Sequence, residues 1–395
     1  MKKKVIFRSG SLRMGGLERV LIEVLQTIDR EKFDIYLVID DDCGEENIFE
    51  KDIPKDIKYF FLKSEEMIRE TEKYKARKKN IVYKLMYNLM MEKENRIMYK
   101  NMQQILKELG EIDVIVDFDA GASKYIEKLD IKKKIVWIHN SIPNLKKKGS
   151  KIKRFGKRLE KYDRVIAICD EMKEEIENIY PNLNGKVSRI YNPFNFERIE
   201  KLMNDESELT TEQIKMLNED YCIAIARLDN VQKDFLTLVR AYKNVKDSGI
   251  QDKLYIIGDG PSKEEIINEI KKLNLEENIK LVGLSKNPYV WLKKSKLFVH
   301  SSKYEGLPTV LIEALICNKM IISSNCPTGP KEILKGESCG KLFKVGDTEE
   351  LGNYLVEFLS SEENREKYEK NVVIRKEEFN KNKVIKEYEK LIEEI

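Results

Sequence analysis

Short apolar runs alternate with helix-spaced segments along almost the whole chain, and this alternation leaves few architectures open. In the first half KKKVIFRSG (Lys2–Gly10), FDIYLVID (Phe33–Asp40), IKYFFL (Ile57–Leu62), EIDVIVDFDAG (Glu111–Gly121), KKIVWIHNS (Lys133–Ser141), RVIAICD (Arg164–Asp170) and KVSRIYNPF (Lys186–Phe194) read as strands. Pro193 closes that series, and Phe194 to Asn218 reads as a helical connection. A second series follows: YCIAIARL (Tyr221–Leu228), KLYIIGDG (Lys253–Gly260), NIKLVGL (Asn278–Leu284), KLFVHSS (Lys296–Ser302) and KMIISSN (Lys319–Asn325). From about Thr348 onward only charged amphipathic helices are expected. The pattern predicts an α/β chain of two open, doubly wound domains. The expected bounds are 1–193, a linker over 194–219, a second domain over 220–375, and a terminal helix over 376–395 that packs back on the first domain. The strand C-terminal ends of the two domains are expected to face each other across a cleft, a usual place for small ligands.

Composition narrows the function classes. The chain has 395 residues, 36% of them charged, yet a net charge of only +4, so the charge balance gives no reason to expect a nucleic-acid partner. The positive charge is uneven: KYKARKK (Lys73–Lys79), KKK (Lys132–Lys134) and LKKKGSKIKRFGKR (Leu145–Arg158) all fall in the first half. The region from Lys63 to Gly110 reads as one long helical stretch, and its segment Ile81–Met102 mixes apolar and basic residues. Such a segment can rest on an anionic membrane surface, although a packed helix has the same pattern. Six cysteines are scattered without CxxC spacing, which predicts buried thiols rather than a zinc site or disulfides. No signal peptide and no run of about 18 apolar residues is visible, so a cytoplasmic location, at most on the membrane face, is expected.

The chemistry concentrates in SSKYEGLPTVLIEAL (Ser301–Leu315). A strand ends there, a loop follows, and a helix pattern begins near Pro308 and Thr309, residues suited to a helix start. Free amides at such a start, with Gly306 allowing close approach, form an anion site fit for a diphosphate. Glu313, one turn into the helix, can accept hydrogen bonds from two neighbouring hydroxyls, as on a ribose. Glu305 lies eight residues earlier, in the loop. Arg227 and Lys233 follow the first strand of the second series, where two cations can stabilise charge growing on a departing diphosphate. In the first half Gly15 and Gly16 precede a helix, but without the GxGxxG spacing of a dinucleotide site. His139 ends a strand, where it would face a ligand crevice. For each of these the plain alternative is a solvated charge, an ordinary turn or a packed histidine.

The spacing of Glu305 and Glu313 within YEGLPTVLIEA resembles the retaining sugar transferases of glycosyltransferase family 4, which have the GT-B fold of two Rossmann-like domains. The resemblance covers nearly the whole chain. ARL and QKD (Ala226–Asp234) are similar to the family's Arg/Lys pair, IIGDGP (Ile256–Pro261), LVGLS (Leu281–Ser285) and CPTGPKEI (Cys326–Ile333) to its donor-domain landmarks, and GG with ER (Gly15, Gly16, Glu18, Arg19) and WIH (Trp137–His139) to its first loop and histidine strand. The resemblance implies that Glu313 binds the nucleotide ribose, and that Glu305 with the backbone of Gly306, Leu307, Pro308 and Thr309 holds the sugar and diphosphate. It implies that Arg227 and Lys233 stabilise the leaving group, that His139 contacts the sugar, and that Gly15, Gly16, Gly258 and Leu284 lie in the donor site. It further implies a UDP-sugar donor, a glycan or lipid-linked acceptor in surface polysaccharide synthesis, and neither metal nor cofactor. Asp117 and Asp119 have metal-like spacing but read as structural or acceptor-contacting. Cys317-Asn318-Lys319 stands where the family commonly has a glycine turn, and Asn can hold that left-handed turn. A nucleotide-sugar epimerase and a non-catalytic sugar-nucleotide module are the competing readings.

Overall fold

The computed structural model describes residues 2–146 and 148–395; Lys147, inside the basic run 145–158, lies outside the described residues. Two compact units emerge, one of Met1–Phe194 with Val384–Ile395, the other of Asn195–Lys383. The first holds seven strands: β1 (Lys3–Ser9), β2 (Phe33–Asp41), β3 (Lys58–Lys63), β4 (Val114–Asp117), β5 (Lys133–Ile138), β6 (Arg164–Ala167) and β7 (Val187–Arg189). The second holds β8 (Tyr221–Ile225), β9 (Lys253–Ile257), β10 (Ile279–Gly283), β11 (Phe298–His300), β12 (Ile321–Ser324) and β13 (Gly340–Phe343). Each strand pair is parallel. Central runs such as Val5–Phe7, Ile135–Ile138 and Ile321–Ser324 are buried throughout, as strands covered by helices on both faces must be.

The strand orders explain where function sits. They are β3-β2-β1-β4-β5-β6-β7 and β10-β9-β8-β11-β12-β13. Each order reverses once, between β1 and β4 and between β8 and β11. Crossovers leave toward opposite faces at such a point, so a crevice opens at the strand C-terminal ends. Gly10 to Gly16 and Asp119 follow β1 and β4, while Ala226 to Asp234 and Ser301 to Thr309 follow β8 and β11.

Several expectations change. The helical connection expected over 194–219 does hold two helices, Phe196–Met203 and Thr211–Leu217, but they group with the second unit rather than standing apart as a linker. The Asn287 side chain ties the first of them down by donating to the Leu202 and Asp205 carbonyls at 2.8 and 2.9 Å. The helical stretch after Lys63 breaks into Glu65–Ala76 and Ile81–Leu109, because Asn80 leaves helical geometry and accepts the Val82 N–H at 2.9 Å as a cap. Strand β13 escapes the sequence reading: four residues pairing with β12 alone show too little periodicity. The six cysteines are free and buried. Asn318 has φ 57°, the left-handed turn expected of it. The terminal helix (Lys381–Glu394) adds Tyr388 to the first core, stacked on Trp137 with ring centroids 4.7 Å apart.

Candidate active site

In the second unit the loop after β8 is shaped by the glycine turn after β9. Ala226 N–H donates to the Ile257 carbonyl at 3.1 Å and Leu228 N–H to that of Asp259 at 3.0 Å. A methyl group on Gly258, whose φ is 151°, would overlap the Ala226 carbonyl oxygen, and one on Gly260 would come within 2.5 Å of the Leu228 carbonyl oxygen. The observed role of Gly258 is thus to let the Arg227 loop lie close. Arg227 itself is exposed and paired with Asp229. Leu284 is 78% exposed and borders a groove of about 390 Å³ with Asp205, Ser285 and Asn287.

Glu305 is the centre of a compact polar cluster. Its carboxylate accepts from Lys233 Nζ at 2.5 Å and Gln232 Nε2 at 3.3 Å, and lies 3.2 Å from His300 Nε2. The other His300 nitrogen lies 3.2 Å from Ser323 Oγ, and Ser302 Oγ is 3.1 Å from Nε2. Burial opposes ionisation of Glu305, but hydrogen bonding and charge from His300 and Lys233 outweigh it and hold the carboxyl at about 2. Burial lowers the His300 pKa despite Glu305, so the ring is neutral at pH 7. With its proton on Nε2, as the carboxylate partner favours, it donates to Glu305. The attraction on Glu305 at neutral pH therefore comes from the Lys233 charge and a neutral His300 donor.

Four residues beyond this cluster the helix Thr309–Ile316 begins, with Pro308 before it and no side chain capping its amides. Gly306 and Thr309 are half-buried and Leu307 and Pro308 buried. Gly329 (φ 102°) packs underneath: a methyl group there would lie 2.6 Å from Pro308 Cδ and 2.8 Å from the Gly306 oxygen. This explains the CPTGPKEI landmark as a support for the loop. Glu313 accepts from the Tyr289 hydroxyl at 3.2 Å. Burial raises the Glu313 pKa to about 7, against the lowering effects of that bond and of Arg198. Sequence reasoning missed His300, Tyr289 and Arg198. Of these only His300, two residues before Ser302 in the same motif, carried a signal that could have been read.

The first unit brings another set together. Gly15 precedes the helix Gly16–Thr27, and a side chain on it would overlap the Glu18 carboxylate, whereas Gly16 faces open space. Glu18 accepts from Ser11 Oγ at 3.3 Å, and burial raises its pKa. Asp117 and Asp119, with Asp40, surround the buried Arg8 guanidinium; Arg8 Nε donates to Asp40 at 2.8 Å and Nη1 to Asp117 at 3.0 Å. The two aspartates thus serve structure first. His139 directly follows β5 and lies against the Phe118 ring at 4.9 Å, and burial lowers its pKa to about 4. Its Nε2 has no hydrogen-bond partner among the described residues. The ring lines a cavity of about 230 Å³ with Leu17, Asp119, Trp137, Lys146 and Phe155.

Each unit thus presents one crevice at the switch point of its sheet. The description "Glycosyltransferase Family 4" matches residues 14–198 and "Glycosyl transferases group 1" matches residues 197–373. A glycosyltransferase of Methanocaldococcus jannaschii is 33% identical over 294 residues, 66% of this chain and 71% of that protein. The N-acetylgalactosamine-N,N'-diacetylbacillosaminyl-diphospho-undecaprenol 4-alpha-N-acetylgalactosaminyltransferase of Campylobacter jejuni is 28% identical over 230 residues, 57% of this chain and 60% of that one. The crystal structure of Anabaena HepE in complex with UDP superposes with a TM-score of 0.75 at 16% identity over 100% of both chains. The chain belongs to the group 1, family 4 glycosyltransferases, and its fold is GT-B.

Proposed function

We propose that the protein is a retaining hexosyltransferase that moves a sugar from a UDP-sugar to a glycan or lipid-linked acceptor in surface polysaccharide synthesis. The observation that carries this reading is the Lys233–Glu305–His300 cluster at the β8/β11 crevice, four residues before an uncapped helix start. In it the donor diphosphate lies on the first amides of Thr309–Ile316 with Arg227 and Lys233 as its cations. Glu313 accepts the ribose hydroxyls, Glu305 orients the sugar, and His139 meets the sugar near its reacting carbon. The bond from that carbon to the diphosphate breaks as the acceptor oxygen bonds on the same face. The acceptor's proton passes to a departing phosphate oxygen. Both Glu305 oxygens are engaged by Lys233, His300 and Gln232, which favours this route over a covalent glycosyl-Glu305. No metal or cofactor takes part. Support for the donor is the UDP held by the Anabaena neighbour, and for the acceptor the diphospho-undecaprenol named for the Campylobacter relative.

The same reading has the enzyme work in the cytoplasm, on an anionic membrane face. The helix Ile81–Leu109 supports it. Ile81, Val82, Leu85 and Leu89 are 81, 62, 60 and 52% exposed, beside exposed Arg77, Lys78 and Lys79. They share one side of the helix, away from the buried Met90. None of the described helices is long and apolar enough to cross a membrane.

A thermal-shift panel of nucleotide sugars tests the donor, since a ligand of the folded state raises the melting temperature. Transfer assays with the best donor then report the anomer by NMR. An inverted anomer refutes retention, and a donor sugar altered without any acceptor means an epimerase.

A further inference from the structure

The helix Gly149–Leu159 buries Phe155, Gly156 and Leu159 and is locked by Tyr180, whose hydroxyl donates to the Ile152 carbonyl at 2.8 Å. Its remaining face is cationic: Lys151, Lys153, Arg154, Lys157 and Arg158, with no acidic residue in the helix. Surface cations elsewhere in this chain are widely paired, as Lys132 with Glu111 and Asp113 or Lys161 with Glu127. Here no ion pair forms among the described residues. Lys146 Nζ lies over the Phe155 ring at 4.5 Å, and Lys124, on the turn against which this helix packs, has only the neutral Asn95 amide oxygen, at 3.2 Å.

Lys124, Lys146 and Arg158 lie close enough to act on one another where this helix meets the turn of Lys124 and the wall of the His139 cavity. Lys146 lines it, and Arg158 is half-buried on the helix that supplies the Phe155 wall. Burial lowers the pKa of Lys124, Lys146 and Arg158, and neighbouring cations lower them further: Arg158 and Lys146 act on Lys124, Arg158 on Lys146, and Arg154 on Arg158. The one carboxylate lining the cavity among the described residues, Asp119, is paired with Arg8, which it shares with Asp40 and Asp117. Like charges held close without an ion-paired carboxylate repel, and an anion on them lowers the cost.

We infer that Lys124, Lys146 and Arg158 bind the phosphate or diphosphate group of an anionic acceptor, with the His139 cavity receiving the sugar next to it. This rests on the transferase reading and adds to it the chemical class of the acceptor. Arg forks two phosphate oxygens and the two ammonium groups act as point charges, a combination suited to a diphosphate rather than to a neutral glycan.

Calorimetry on the full chain tests it with saturating UDP present, so that the donor crevice is closed to the probes. Geranyl diphosphate, geraniol and inorganic pyrophosphate are titrated. The expected result is that geranyl diphosphate binds and that K146A and R158A each weaken it about tenfold or more, the range for a charge-assisted hydrogen bond. UDP affinity should stay within about twofold in both variants, which also certifies folding. Geranyl diphosphate that fails to bind, or binds the K124A/K146A/R158A variant equally well, overturns the inference. Geraniol matching it removes the anion from the site, and inorganic pyrophosphate matching it removes the lipid. The UDP titration alone judges the transferase reading: UDP bound with no geranyl diphosphate response sinks only the acceptor class.

Discussion

With Glu313 as the proposed ribose acceptor, nucleotide-sugar binding should depend on pH within the physiological range. Its carboxyl has a pKa of about 7 in the unligated protein, chiefly because burial disfavours the charge and the Tyr289 hydroxyl and Arg198 compensate only in part. A ribose diol needs the ionised form as a double acceptor. About nine-tenths of the protein is ionised at pH 8 and about a tenth at pH 6, so affinity should fall about tenfold between them, roughly 1.4 kcal/mol. Calorimetry with UDP-glucose is the assay, because its diphosphate is a diester without the phosphate ionisation near pH 6 that UDP itself carries. Binding at pH 6 should also release close to one proton, visible as a dependence of heat on buffer. Burial lowers the His300 pKa from the usual 6.5, which moves its titration away from the centre of this window. Asp40 titrates near 7 as well, but in the first unit and under Arg8, and Glu313→Gln separates the two. A flat wild-type profile, or the same slope in Glu313→Gln, would refute the assignment. The sign for the unligated protein is opposite to that of a paired carboxylate. With the folded pKa above the ordinary 4.5, the native state holds the extra proton between about 4.5 and 7, so stability falls as pH rises through that window.

Other outcomes can be checked more simply. Gly258→Ala should cost about 2–4 kcal/mol in urea unfolding, because the new methyl group meets the Ala226 carbonyl, backbone that cannot rotate away, at a φ disfavoured for alanine. Glu305→Gln should lower kcat at least about a hundredfold while UDP affinity changes little, since the group is proposed to orient sugar rather than nucleotide; rates near wild type would return Glu305 to a structural role. The pair Leu85→Ser and Leu89→Ser should release the protein from anionic vesicles in flotation at low salt by about tenfold without loss of melting temperature.

Much of the architecture was legible because it is local. Strand and helix periods are written residue by residue, and both strand series stand out in the chain. The loop from Glu305 to Thr309 was also readable, since glycine, proline and carboxylate sit in one short stretch. What could not be read depends on distant partners. Arg8 looks like an ordinary charge in β1, yet it gathers Asp40, Asp117 and Asp119 from the ends of two other strands. Tyr289 and Arg198 come to Glu313 from helices 24 and more than 100 residues earlier, and nothing near either announces it. Gly258 carries a duty that its own stretch does not announce: it lets two loops touch.

Unit two is, in chain terms, an insertion within unit one. Residues 384–395 complete the core around Trp137, the residue two before His139, so the first unit cannot finish folding until those last twelve positions have been made. During synthesis the middle unit can close while the first waits with an unfilled slot for Tyr388. A chain cut near 380 would lose its defect not where the cut falls but under the strand that carries the histidine.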